Sequence, residues 1–149
     1  MTRSLSLAGL ERLEPRVMAC FEAGALATGC SLQRRDLAPV YSHMESDAGL
    51  LDLYRANAEQ CGRTFPLDDD QAPRPMFSTD MANVSLAVPT IHPLVGIDAA
   101  GSVNHQPEFA AACITPSADK AVRDGALTMA WTAIDAAQPG AVRDRLTRR

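Results

Sequence analysis

Side chains that could do chemistry gather between residues 77 and 109. Two of the three histidines, His92 and His105, lie in this stretch, and Asp80 stands in a polar turn. Imidazole can ligate zinc or carry protons, because its charge changes near neutral pH. In α/β proteins, polar groups at the ends of apolar strands commonly form the site. The stretch is therefore where we expect a functional site.

Each of these residues also has a purely structural interpretation. His105 could be a surface histidine without a role, and His92 could be a hydrogen-bonded histidine at the edge of a core. Asp80 could cap a helix that begins at Met81, by accepting a hydrogen bond from a backbone N–H two or three residues on. His43 lies in a linker and is given no function. Residue types and spacing alone leave these alternatives open.

Several enzyme classes are not indicated by any motif. The chain contains no GxGxxG or Walker loop, no GxSxG elbow and no HExxH. The three histidines are not paired at helical spacing, whereas a zinc site needs three or four ligands. The three adjacent aspartates, Asp68 to Asp70, lack the alternating acids and the glycine of an EF-hand and indicate a solvated loop between residues 65 and 75.

Composition bounds the class of protein and its partners. A chain of 149 residues is expected to form one soluble domain, and its net charge of −4 argues against a nucleic-acid partner. No apolar run approaches the roughly 20 residues of a membrane span, and the N-terminal residues lack the apolar segment of a secretory signal. The four cysteines are widely separated, which predicts free thiols and a cytoplasmic location.

Three helices are predicted to position the stretch. The first runs from Glu14-Pro15 to Gly29, and the second from Ser46 or Asp47 to Gly62. The third opens at Thr115-Pro116 and ends before Pro139-Gly140, and the basic end RDRLTRR is predicted to be a frayed tail. One side of the third helix is expected to be apolar, and it carries Ala118, Val122, Met129, Ala130 and Ile134.

Short strands are predicted at residues 30–37 and 94–97, which gives an α/β fold class. The sequence Pro39-Val40-Tyr41 breaks the pattern, so we place a boundary near residues 36–42.

The amino-acid sequence of the central stretch resembles motifs of one enzyme family. STDMANVSLAVPTIHP is similar to the "STD-x-GNVS-xx-VP-x-IHP" signature of the zinc-dependent amidohydrolase and metallopeptidase family, which includes aminoacylases, carboxypeptidase G, p-aminobenzoyl-glutamate hydrolase and related dipeptidases. NHQPEF looks like its "H-[ST]-PEF" element, and ADKAVRDGALTMAWTAIDAA looks like its closing helix. FEAGALATGC and DAGLLDLYRANAEQCG resemble segments that precede the signature, so the resemblance covers about residues 15–137.

This resemblance implies a fold and a domain division. Residues 1–38 resemble the last helix and strand of a lid domain that mediates dimerisation. Residues 40–149 resemble the C-terminal part of a catalytic domain built on a mixed β-sheet flanked by helices. The sequence departs from the signature where Ala82 and Phe77 replace glycine and where Gln106 replaces serine or threonine, and Ala82 is expected to perturb a tight turn.

The resemblance also implies an activity, the hydrolysis of an amide bond in a small N-acyl amino acid or dipeptide with two zinc ions. His105 matches a metal ligand, and Asp80, Asn83 and His92 match the substrate pocket. The family's other ligands and its general-base glutamate lie in an N-terminal half that has no counterpart here. We therefore expect this chain to be inactive alone. The alternative is a non-catalytic fragment that acts by association with a partner chain, as a homodimer or with an N-terminal half.

Overall fold

The computed structural model describes residues 2–65 and 78–148. The predicted aspartate loop and Phe77 lie outside the described residues. Within them the chain forms helices and extended segments, and no β-strand is assigned. The helices are α1 (Leu7–Thr28), α2 (Ala48–Gln60), α3 (Met81–Ser85), α4 (Pro107–Ala112), α5 (Pro116–Ala137) and α6 (Ala141–Thr147). No helix of the described part is long and apolar enough to cross a membrane.

Contacts between residues divide the described chain into two compact units. The first combines residues 2–45 with residues 78–88 and contains α1 and α3. The second combines residues 46–65 with residues 89–148 and contains α2, α4, α5 and α6. The division expected from the resemblance, residues 1–38 and 40–149, concerns the domains of a complete family enzyme and stays a prediction.

Helix α1 begins eight residues earlier than its sequence pattern predicts. The Ser6 hydroxyl accepts a hydrogen bond from the backbone N–H of Gly9, at 3.1 Å, and caps a helix that starts at Leu7. Pro15 therefore lies inside the helix and not at its first position. The predicted end is confirmed, because Gly29 adopts the left-handed conformation with φ of 67°.

Helices α2 and α5 form the main contact of the second unit, and their limits agree with the sequence prediction. Small and polar side chains fill this contact. The Asn57 amide donates to Asp135 Oδ2 at 2.8 Å, and Thr128 is 1% exposed, with its hydroxyl donating to a carbonyl one turn back. The buried residues are Tyr54, Asn57 and Ala58 of α2 with Ala118, Ala121, Asp124, Thr128, Thr132 and Ala136 of α5.

The apolar side predicted for α5 is not the side that packs on α2. Ala118 is buried, whereas Val122, Met129 and Ile134 are 72%, 57% and 56% exposed. The sequence pattern identifies an apolar stripe but not the neighbour that covers it. In this structure α2 packs on the polar and small-residue stripe instead.

Two aspartates tie the elements of the second unit together. Asp124 of α5 accepts from Lys120 and pairs with Arg63 Nε at 2.6 Å. Asp47 caps α2 through Leu50 N–H, at 2.9 Å, and forms an ion pair with Arg145 of α6. Residues 141–147 therefore form a helix that the ion pair between Arg145 and Asp47 holds in place. The predicted frayed tail is wrong over α6.

These contacts predict how stability depends on pH. The hydrogen bond from Lys120 lowers the pKa of Asp124 against the opposing effect of burial, and Arg63 lowers it further. Burial alone would raise the pKa of Asp47, but hydrogen bonds from Arg145 and from Leu50 N–H lower it below its ordinary value. Groups with depressed folded-state pKa values stabilise the fold fully above their unfolded pKa, about 3.9, and lose that contribution as the pH falls further.

We therefore expect the urea midpoint of the chain to be steady above about pH 5 and to fall steeply below about pH 4. The variant Asp124→Asn should start lower at neutral pH and lose less of its midpoint on acidification. An unchanged pH profile in this variant would contradict the assignment.

The predicted strands at residues 30–37 and 94–97 are not formed as strands within the described residues. Residues 89–99 carry no helix or strand assignment, and exposure alternates from His92 to Asp98 as it does in a strand with one covered face. The side chain of Val95 lies beside Gly125 of α5. A Cβ atom at position 125 would be in van der Waals contact with Val95 Cγ2, at 3.5 Å. A strand is defined by its partner, so the mixed sheet of the implied fold stays a prediction.

Candidate functional site

The signature residues 78–88 form a turn and helix α3. The helix begins at Met81, as one interpretation of Asp80 predicts, but Asp80 makes no capping bond and is exposed. Thr79 Oγ1 instead accepts from Met81 N–H at 3.3 Å. Ala82 lies buried inside α3 and does not have a positive φ, so the predicted perturbation of a tight turn is wrong.

Asn83 fastens the extended segment before α2 to α3. Its Nδ2 donates to the carbonyl of Val40 at 3.0 Å, and its Oδ1 accepts from the N–H of Ser42 at 2.9 Å. Two residues further on, Ser85 Oγ accepts from the N–H of Glu45 at 2.9 Å. The Asn83 amide thus pairs with backbone on both of its polar ends, which is the bonding of a structural clamp.

The clamp predicts a distinctive pattern of amide hydrogen exchange. In Asn83→Ala, the Ser42 amide should lose roughly five-fold in protection, since one hydrogen bond contributes about 1 kcal/mol. The Glu45 amide, held by Ser85, should change little. The matched variant Ser85→Ala should reverse the pattern, and equal loss at both amides in both variants would instead indicate that the segment opens as one unit.

His92 lies exposed on the extended segment that precedes the 98–106 turn. His92 belongs to the second compact unit, whereas Asp80 and Asn83 belong to the first.

His105 occupies an unusual backbone conformation. Its φ is 66°, and within the described residues the other non-glycine residue with positive φ is Ala100, at 49°. This left-handed region costs an ordinary side chain about 1–2 kcal/mol. Residues held in such conformations cluster at functional sites, where surrounding contacts maintain the strain. The exposed imidazole of His105 is thus presented from a constrained turn immediately before α4.

The turn that carries His105 is anchored to α5 at its beginning. The backbone N–H of Asp98 donates to Ser117 Oγ at 2.8 Å, and Asp98 Oδ1 accepts from the N–H of Ala100 at 3.2 Å. After α4, Thr115 donates to the carbonyl of Ala112 at 2.8 Å and caps α5. These bonds fix both ends of residues 98–115 against the same helix terminus.

An open depression of about 750 Å³ lies within this turn and α4. Asp98 and Glu108 line it together with polar Ser102 and Gln106, and the remaining lining is mostly small and apolar. His105 is adjacent in sequence to one of these residues but is not among the lining residues. Composition did not predict Asp98 or Glu108 as site residues. A motif-based signal existed for Glu108, which belongs to the HQPEF element.

A zinc centre needs three or four neighbouring ligands, and the described residues bring together fewer. Within residues 2–65 and 78–148, no group of three or more His, Cys, Asp and Glu side chains could hold a metal ion. His43, which was given no function, makes a 3.2 Å contact from Nε2 to Glu45 Oε1, and that pair is too small a set. The described residues do not by themselves fit a zinc centre.

Comparison with known proteins finds dipeptidases. The chain is 33% identical over 135 residues to a mouse protein named Xaa-Arg dipeptidase. The alignment covers 89% of this chain and 31% of the mouse protein. It is 32% identical over 133 residues to the human protein of the same name, with 89% and 30% covered. The chain thus spans about a third of the length of these curated relatives.

No protein-family model matches the chain, and no solved structure matches it. The similarity to the two dipeptidases extends over most of the chain and supports a relationship to peptidases.

Proposed function

We propose that this chain forms the C-terminal part of a dipeptidase-like amidohydrolase of the metallopeptidase family. The observation that carries the proposal is the similarity to Xaa-Arg dipeptidases over 89% of the chain. The conformation of His105 adds support, because the one histidine that matches a ligand of the family is also one of the strained positions in the described chain. A strained polar residue is expected at a site more than on a plain surface turn.

In this proposal His105 contributes one ligand to a zinc centre. Zinc, when bound in a hydrolase, supplies a Lewis acid and an activated water. The described residues offer too few neighbouring donors for such a centre, so the other ligands of the two zinc ions would come from a further segment. The assignment of Asp80, Asn83 and His92 to the substrate pocket stays a prediction that the family resemblance implies.

The substrate proposed is a dipeptide whose second residue is basic. The relatives' name specifies arginine at that position. Asp98 and Glu108 are among the residues that line the depression, and Glu108 lies in the first turn of α4. A guanidinium group suits such a place, since it forms charge-assisted hydrogen bonds with carboxylates. We assign Glu108 the main contact, because Asp98 already accepts a bond from Ala100 N–H.

The test uses a chimera in which this chain replaces the matched segment of mouse Xaa-Arg dipeptidase. The chimera is expected to hydrolyse alanyl-arginine in zinc-containing buffer, whereas the isolated chain is expected to show no turnover. The His105→Ala chimera should fold and be inactive. A folded chimera with undiminished activity after that substitution would refute the role of His105.

A non-catalytic, associating chain is the second candidate. The large apolar side chains exposed on α5 favour it, because exposed apolar patches commonly mark interaction sites. It would act as a homodimer or with a complementary half-enzyme in the cytoplasm. This candidate requires a discrete complex without hydrolysis, which size-exclusion chromatography with light scattering and the same dipeptide assay would reveal together.

A further inference from the structure

The end of α2 contacts the segment that leads into the depression. Arg63 Nη1 donates to the carbonyl of Gly96 at 2.8 Å. Gly62, with φ of 76°, turns the chain after α2 in the left-handed region that favours glycine. The backbone N–H of Arg63 then donates to the carbonyl of Ala58 at 3.0 Å, which closes the helix end. This turn places a guanidinium group against residues 94–97.

The same guanidinium group also contacts α5. Arg63 Nε forms an ion pair with Asp124 Oδ2 at 2.6 Å, and the two side chains are 23% and 12% exposed. Because guanidinium is a rigid planar fork, it can bind two acceptors in fixed directions at the same time. Lys120 pairs with the same oxygen at 2.5 Å and donates to the carbonyl of Cys61 at 3.4 Å. Of these two cations, Arg63 is the one that extends the contact to Gly96.

The contact with Gly96 lies two residues before one side of the depression. Residues 98–101 line the depression consecutively, and we call them its wall. The wall includes Ala100, whose positive φ of 49° must be maintained by surrounding contacts. Its first residue, Asp98, is held by a neutral hydrogen bond to Ser117 Oγ at 2.8 Å. A charge-assisted bond such as the one to Gly96 is roughly twice as strong as a neutral one, so it is the stronger of these two bonds.

We propose that Arg63 is a positioning residue for the candidate site, which fixes the wall and thereby the fit of a basic side chain in the depression. Arg63 is not among the residues that line the depression, so it acts through the carbonyl of Gly96. This inference rests on the proposed function, which assigns the depression to the basic residue of the substrate. The hold on the wall can be measured in the isolated chain without hydrolysis.

Amide hydrogen exchange in the isolated chain tests that hold. In Arg63→Gln, the amides of Asp98 and Ala100 should lose about 10-fold or more in protection, because the bond from a charged donor to Gly96 is lost. The matched control is Lys120→Gln, which removes the other cation of the same ion-pair cluster but not the contact with Gly96. It should leave both amides within about two-fold of their original protection, since a half-exposed ion pair contributes little.

Steady-state kinetics of the chimera test the consequence for the site. Arg63→Gln should raise KM for alanyl-arginine about five- to ten-fold and leave kcat nearly unchanged, because a misplaced wall weakens binding of the basic side chain. For alanyl-alanine, both constants should change little. Arg63→Lys keeps the charge beside Asp124 but replaces the fork by a single ammonium group. It should therefore preserve the melting temperature and still raise KM for alanyl-arginine, which keeps the test available if Arg63→Gln does not fold.

The expected result is a loss of protection confined to the wall together with a KM effect confined to alanyl-arginine. Equal losses in Arg63→Gln and Lys120→Gln overturn the proposal, since Arg63 then only stabilises the contact between α2 and α5. A fall in kcat for both dipeptides with KM unchanged also overturns it. If the unsubstituted chimera is inactive, the proposed function fails, whereas hydrogen exchange in the isolated chain still decides whether Arg63 holds the wall.

Discussion

Replacing His105 by glycine should make the isolated chain more stable and make the chimeric dipeptidase inactive. Glycine removes the left-handed strain of about 1–2 kcal/mol but adds up to about 1 kcal/mol of unfolded-state entropy, which leaves a net gain of roughly 0.5–1 kcal/mol. For a domain of this size the melting temperature should rise by about 1–4 °C. Hydrolysis of alanyl-arginine should fall by more than about 100-fold, because loss of even an outer partner of a metal ligand costs 10–100-fold.

Two comparison variants separate strain from chemistry. Ala100→Gly relieves the other non-glycine positive φ of the described chain and should raise the melting temperature by a similar amount. His105→Asn places a side chain that tolerates the left-handed region but lacks imidazole, so its stability should hold while its hydrolysis is lost. If His105→Gly destabilised the chain, the imidazole would be making contacts that maintain the turn. If it left hydrolysis intact, the proposed ligand role would be wrong.

Helix limits were predictable wherever a local capping signal fixes them. Asp47, Thr115 and Gly29 act at the helix ends that their residue types predict. The start of α1 differs from the prediction because Pro15 favours a helix opening at that position, whereas Ser6 caps a helix that already begins at Leu7. Caps act within three or four residues, so this information is present in the sequence.

The environment of the candidate site was less predictable, because it depends on contacts between distant segments. The bonds of Asn83 reach back more than forty residues to Val40 and Ser42. The left-handed conformation of His105 occurs in a turn whose first residue, Asp98, is bonded to Ser117 nineteen residues further along the chain. The side of α5 that packs on α2 was not predictable either. Periodicity identifies an apolar stripe but not the element that covers it.

Neutralising Glu108 should change which dipeptides the chimera prefers. A charge-assisted hydrogen bond to the substrate contributes about 1.5–3 kcal/mol, so Glu108→Gln should lower kcat/KM for alanyl-arginine about 10- to 100-fold relative to alanyl-alanine. The activity on alanyl-alanine should change little, because Glu108 would face the side chain and not the scissile amide. Glu108→Lys should deepen the loss, since it places a like charge beside the substrate.

The position of Glu108 makes this comparison selective. It lies in the first turn of a six-residue helix and lines the depression, whereas Glu59 lies exposed on α2 and is not among the lining residues. Glu59→Gln therefore makes the same change in charge and should leave the substrate preference unaltered. The preference of the unsubstituted chimera should also weaken as salt rises, because the carboxylate is exposed to solvent and its field is screened. Equal effects of Glu108→Gln on both dipeptides would show that the carboxylate acts on stability or on the reaction itself, and the basic subsite would then have to lie elsewhere.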